Sequence, residues 1–120
     1  MNTGIILAAG TSSRYKGKTL KQFSLFNNRM IIDYSITTFL NHSSIDDIVI
    51  VVSEKYYQMI KDKYPDFHVI IGGQKRQESS LIGLLSCNKK TKKVLIHDAA
   101  RAMVSEKIIT RCLNAIKNYD

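Results

Sequence analysis

The chain has 120 residues, 44% of them apolar and 23% charged, with a single proline. That length and composition fit one domain with a buried core, and they exclude a disordered tail or a fibrous repeat. Eighteen Lys and Arg against 10 Asp and Glu leave a net charge of +8, which favours anionic partners without choosing between nucleic acid, lipid and small phosphates.

Gly4 to Ala8 (GIILA) reads as the first strand. Gly10 to Asn28 follows with little apolar periodicity, and a loop that long in a compact domain is usually functional. Met30 to Leu40 has helical spacing, with Ile32, Ile36, Phe39 and Leu40 on one face. Asp47 to Val52 (DIVIVV) is a second strand. Glu54 to Lys63 is a helix with Ser53 as its N-cap and Tyr57 and Ile60 facing inward. Val69 to Gly72 is a third strand, and Ser79 to Cys87 a helix with Leu81, Leu84 and Leu85 as its apolar positions. Lys93 to His97 is a fourth strand. Lys107 to Lys117 closes the chain as a helix after Ser105, carrying Ile108, Ile109, Cys112, Leu113 and Ile116.

The strands are apolar nearly throughout rather than alternating, as in a parallel sheet covered on both faces. Strand–helix alternation therefore predicts an α/β fold: a Rossmann-like, doubly wound, mainly parallel sheet with helices on both faces and right-handed crossovers. Cys87 and Cys112 match no metal-ligand spacing and are too few for a disulfide scaffold, so both read as small buried side chains in a reduced cytosol. Met1 to Gly4 shows no basic n-region or cleavage site, and no apolar run approaches the ~20 residues that span a bilayer. A soluble cytoplasmic protein without a membrane partner is expected.

Three segments carry candidate chemistry. Leu7-Ala8-Ala9-Gly10-Thr11-Ser12-Ser13-Arg14 leaves the first strand with small residues that let backbone N–H groups approach a phosphate. Arg14 and Lys21 can fold back over the same anion, although an ordinary turn with two solvated cations would use these residues too. No Walker loop and no G-x-G-x-x-G is present. Gly72-Gly73-Gln74-Lys75-Arg76-Gln77-Glu78-Ser79 leaves the third strand; its glycines admit a base or sugar against bare backbone, with Arg76 and Ser79 as hydrogen-bond donors. The simpler reading is a β-to-α turn capped by Ser79 or Glu78.

His97-Asp98-Ala99-Ala100-Arg101 ends the fourth strand. Asp98 can hold Mg²⁺ against phosphate oxygens, with Arg101 orienting it or touching phosphate; an Asp98–Arg101 ion pair closing a turn is the alternative. His97 reads as a packed strand end. Lys89, Lys90, Lys92 and Lys93 read as a solvated run at the opposite, amino-terminal edge. Strands one, three and four all deliver their loops to one sheet edge, which is where open α/β sheets bind ligands. That convergence suits a nucleoside triphosphate with Mg²⁺.

In order and spacing, LAAG-TSSR, the KQF of Lys21 to Phe23, GGQKRQESS and VLIHDAAR resemble the 2-C-methyl-D-erythritol 4-phosphate cytidylyltransferase family, over residues 4 to about 104. The resemblance implies a nucleotide-diphospho-sugar transferase-like fold, CTP as substrate, and Mg²⁺ or another divalent cation. The implied reaction transfers CMP from CTP to a polyol phosphate in non-mevalonate isoprenoid synthesis. It also implies backbone contacts from Ala8, Ala9 and Gly10, and catalytic roles for Arg14 and Lys21 on the triphosphate. Cytidine contacts would come from Gly73, Arg76 and Ser79, and a metal-binding Asp98 would stand beside Arg101.

Leu20 and Ala102 stand where the family pattern has proline, and Ser80 where it has an apolar residue. Residues 1–120 are expected to be one nucleotide-binding domain, the truncated N-terminal part of an enzyme about twice as long. The acceptor-binding half and the arm that makes the family's homodimer would be absent, so weak or no CTP binding and some self-association are expected of the chain alone. A ribitol 5-phosphate cytidylyltransferase is the nearest alternative. A non-catalytic nucleotide- or partner-binding fragment is another. Nucleic-acid binding rests on the charge alone, since the basic residues are dispersed and the six tyrosines form no stacking pattern.

Overall fold

The computed structural model describes residues 1–10, 14–15, 19–23, 25–99 and 106–117. In chain order the elements are β1 (Asn2–Ala8), β2 (Arg14–Tyr15), β3 (Thr19–Leu20), a 3-10 turn (Lys21–Phe23), β4 (Leu25–Phe26), β5 (Arg29–Met30), α1 (Ile31–Asn41), β6 (Asp47–Val52), α2 (Glu54–Lys63), β7 (His68–Ile71), α3 (Arg76–Leu85), β8 (Lys93–Asp98) and α4 (Glu106–Lys117). All four expected strands and all four expected helices are present.

The main sheet has the order β7-β6-β1-β8, and every neighbouring pair is parallel. Successive residues Ile5 and Ile6 are both fully buried, which a strand allows only when both faces are covered. On one face Ile6, Ile50 and Val52 pack with Ile32, Ile36 and Phe39 of α1, Ile60 of α2, and Ile109 and Leu113 of α4. Ile5, Leu7, Val49 and Val51 form the other face, under α3. That helix approaches through Gly83, where an added Cβ would stand 2.8 Å from Ile5 Cγ2 and 3.3 Å from Val51 Cγ2. Among the described residues, no helix is long and apolar enough to cross a membrane.

Four expectations need correction. First, α3 begins at Arg76 rather than Ser79, with Lys75 at the N-cap and no side-chain capping bond. Second, Leu81, Leu84 and Leu85 are exposed. The small residues Ser79 and Gly83 are the ones α3 buries, because they allow the close approach to the sheet. Third, Leu40 and Cys112 also face outward. Cys87 is half-buried, donates its thiol to the Gly83 carbonyl at 3.4 Å, and has its pKa pushed up by burial and by Asp47.

Fourth, the segment from Gly10 to Asn28 contains local structure. Antiparallel pairs join β2 to β3 and β4 to β5. The β4–β5 turn places Asn27 and Asn28 at φ 51° and 66°, the left-handed conformation that two-residue hairpins require and asparagine tolerates. The suggested cap Ser105 lies outside the described residues, as does Ala102.

Asp33 is a charged residue inside the core, 1% exposed in the first turn of α1. Its Oδ2 accepts from Lys63 Nζ at 2.6 Å and from the Met30 N–H at 3.2 Å, and its Oδ1 accepts from the Tyr64 hydroxyl. Burial, then the bond to Asp33, push the Tyr64 phenol well above its usual range. This network ties the start of α1 to the end of α2.

Ser80 is a less comfortable polar group: its Oγ is closed to solvent and has no hydrogen-bond partner among the described residues. Ser80→Ala removes that orphan and improves helix propensity, so a gain of about 1 kcal/mol is expected. Thermal unfolding should show a melting temperature higher by about 3 °C. A decrease would mean that the hydroxyl is satisfied in solution.

Candidate active site

Parallel register brings the carboxyl ends of β1, β7 and β8 to one edge. Leu7 pairs with Asp98 across β1 and β8, and the Ala99 N–H continues the ladder to the Leu7 carbonyl at 2.8 Å. On the other side the Gly72 N–H bonds to the Val52 carbonyl at 2.8 Å, so the turn after β7 leaves from a fixed point.

Between these loops lies a cavity of about 100 Å³, lined by Ala9, Gly10, Gly73, Arg76, Ser79 and Asp98 together with Leu7, Gln74 and Lys75. Beside it runs a more open groove of about 600 Å³, which shares Ala9 and Gly73 and reaches Ser53, Glu54 and Glu78. The cavity alone is below the ~300–1,000 Å³ of an ordinary small-molecule site, whereas the two together fall within it.

Each small residue at this edge has its own physical reason. A Cβ added to Gly72 would lie 2.6 Å from Ser79 Oγ and 2.7 Å from Val51 Cγ1, and one added to Gly73 would lie 2.5 Å from Glu78 Cβ. These two glycines let the turn pack against α3. Gly10 differs, because among the described residues a Cβ there would meet nothing within 4 Å. Ser79 is 3% exposed, and its Oγ accepts from the Gly73 N–H at 3.1 Å and sits 3.4 Å from the Gly73 carbonyl. It therefore shapes the turn from inside the helix and does not cap α3.

Lys75 and Arg76 stand at the N-terminus of α3, where unpaired N–H groups add partial positive charge. Asp98 is the one carboxylate among the cavity's described lining residues. Among the described residues no three His, Cys, Asp or Glu side chains gather into a metal cage.

Of the residues predicted from sequence, the cavity gathers Ala9, Gly10, Gly73, Arg76, Ser79 and Asp98. Ala8 is not among its lining residues; it belongs to the buried cluster on the opposite face. The side chains of Arg14 and Lys21, and all of Arg101, lie outside the described residues. His97 is a packed strand end as expected, with Nε2 3.0 Å from Ser35 Oγ and its ring against Phe39. Lys93 pairs in register with Asn2 at the amino edge, away from the cavity. Lys75 and Gln74 were passed over in the sequence, although their place between the glycine pair and a helix start was a usable signal. Gln22 of the KQF motif has no role assigned from sequence. It is 3% exposed, and its Nε2 donates to the Ala8 and Gly10 carbonyls at 3.1 and 2.9 Å.

Residues 3–120 match the family described as IspD, 2-C-methyl-D-erythritol 4-phosphate cytidylyltransferase. The chain belongs to that family. A cytidylyltransferase of that name from Clostridium botulinum (strain 657 / Type Ba4) is 35% identical over 124 residues, covering 98% of this chain and 54% of its own length. The bifunctional ribulose 5-phosphate reductase/CDP-ribitol pyrophosphorylase Bcs1 of Haemophilus influenzae is 34% identical over 127 residues, covering 99% of this chain and 27% of its own. In fold, the 4-diphosphocytidyl-2C-methyl-D-erythritol synthase of Anaerococcus prevotii superposes with a TM-score of 0.83 at 24% identity, over 97% of this chain and 50% of that one. The chain spans about half the length of the curated cytidylyltransferases it matches. The doubly wound fold expected from the apolar runs is the fold of this family's solved members.

Proposed function

We propose that the chain supplies the CTP-binding half of a cytidylyltransferase, one that transfers CMP from CTP to 2-C-methyl-D-erythritol 4-phosphate. The observation that carries this reading is the joint presence of Gly10, Arg76 and Asp98 around one cavity at the carboxyl edge of the sheet. In the reaction, a phosphate oxygen of the acceptor attacks the α-phosphorus of CTP. A new P–O bond forms as the α–β bridge breaks, and pyrophosphate leaves with the bridging oxygen. No covalent enzyme intermediate is needed, so the protein contributes positioning and charge stabilisation.

Backbone at Ala9 and Gly10 accommodates the phosphates closely. Lys75 supplies positive charge at the start of α3, and Gly73, Arg76 and Ser79 shape the side toward the cytidine. Arg14, Lys21 and Arg101 are assigned to the triphosphate on the family motif alone. Mg²⁺, held by Asp98, would neutralise phosphate charge when bound.

Calorimetric titration tests this directly. With Mg²⁺ present, the folded chain is expected to bind CTP at least about tenfold more tightly than ATP. Equal affinity for the two would overturn the reading; if the folded chain alone binds neither, the same titration on an enzyme carrying this half and a complementary acceptor half decides. The Haemophilus relative, at 34% identity, favours a second acceptor, ribitol 5-phosphate. Assays on an enzyme carrying this half and a complementary acceptor half, offered both polyol phosphates, decide between them.

A further inference from the structure

Two buried side chains anchor the 3-10 turn Lys21–Phe23 on opposite sides. Phe23, 6% exposed, stacks on Tyr56 of α2 with ring centroids 3.9 Å apart. Gln22 reaches back to the end of β1, where one nitrogen donates to both the Ala8 and Gly10 carbonyls. Those carbonyls belong to the peptide units on either side of the Ala9–Gly10 peptide. The β1 strand ends at Ala8, so beyond it the backbone must find partners elsewhere or leave buried carbonyls unpaired. A primary amide is suited to this place, because its nitrogen carries two hydrogens and no charge.

We infer that Gln22 is a positioning residue for the nucleotide site. By holding the two carbonyls it fixes the backbone of Ala9 and Gly10, both of which line the cavity. A trans peptide points its C=O and N–H in opposite directions. Drawing the Ala8 carbonyl toward Gln22 therefore turns the Ala9 N–H away from it. The same clamp ties the backbone next to Lys21 to the end of β1. This inference rests on the proposed CTP site and adds to it a residue that need not touch the nucleotide.

Two variants separate a positioning role from simple support of the fold. Gln22→Met keeps length and volume but has no donor. Gln22→Glu, when ionised, sets a carboxylate against two carbonyl oxygens; burial raises its pKa, and protonation restores one donor. CTP titrations with Mg²⁺ are made on chain shown to be folded by circular dichroism, at about pH 8 and about pH 6. Wild type measured at both values cancels the titration of CTP itself.

Relative to wild type, Gln22→Met is expected to bind CTP about tenfold more weakly at both pH values. Gln22→Glu is expected to lose at least as much at about pH 8 and to regain most of it at about pH 6. A folded Gln22→Met that binds CTP as wild type does overturns the clamp, and so does a deficit in Gln22→Glu that ignores pH. Should the buried charge unfold Gln22→Glu, Gln22→Met alone decides. If wild type takes no CTP even when joined to a complementary acceptor half, the proposed function fails and the clamp with it. If wild type binds and the variants bind equally, only the clamp fails.

Discussion

Replacing Asp33 by alanine is expected to cost the chain about 3 kcal/mol and to lower its melting temperature by about 10 °C. The ion pair itself accounts for little of this. Lys63 is 47% exposed, so water screens the pair, and surface pairs of this kind contribute at most ~1 kcal/mol. The larger loss comes from the partners left behind. The Met30 N–H at the start of α1 and the Tyr64 hydroxyl at the end of α2 both use the buried carboxylate as acceptor. Alanine strands them and leaves a small void beside the helix start. Asp33→Asn keeps one good acceptor and should lose about half as much. If thermal unfolding placed Asp33→Ala within a degree or two of wild type, the network would be incidental to stability.

The same network has a signature in pH. Tyr64 is held neutral in the folded chain, its pKa raised first by burial and then by Asp33. A group whose folded pKa is raised contributes fully below its unfolded pKa, here about 10, and loses that contribution as pH rises through the folded value. Wild type should therefore lose stability as pH climbs above about 10, and Tyr64→Phe should show a shallower decline over the same range.

Asp33 also shows where sequence reading stops. It sits between the apolar positions Ile32 and Ile36, and helical period marks a face without telling which polar residue on it is matched by a partner about thirty residues away. The strands were legible because continuous apolar runs such as Ile48 to Val52 have few other uses. The site edge was legible because small residues and charges follow three such runs. Helix α3 was misread because periodicity alone cannot choose between two faces. Its leucines invited burial, but Gly83 and Ser79 allowed the closer approach to the sheet. Gln22 stands in the KQF motif, but its role could not be read there for a related reason: its partners are backbone carbonyls, which carry no side-chain pattern.

Asp98→Asn is expected to weaken Mg²⁺-dependent CTP binding by at least ~100-fold, since even residues that only support a metal ligand are worth 10–100-fold. The substitution keeps the shape of the side chain and the β1–β8 register, so the change isolates charge and oxygen-donor strength. Asp98 lines the same cavity as the cations Arg76 and Lys75. A triphosphate bound there would bring its negative charge toward the Asp98 carboxylate, which a divalent cation between them would offset. Two consequences follow with opposite signs. With Mg²⁺, Asp98→Asn loses a hard oxygen ligand and binds CTP poorly. With EDTA, the variant no longer repels phosphate and should bind CTP as well as wild type or better. Calorimetry under both conditions reads this reversal. Equal loss with and without metal would make Asp98 a support of the loop, and no loss in either condition would remove it from the site. Only the crossed pattern places a cation between Asp98 and the phosphates.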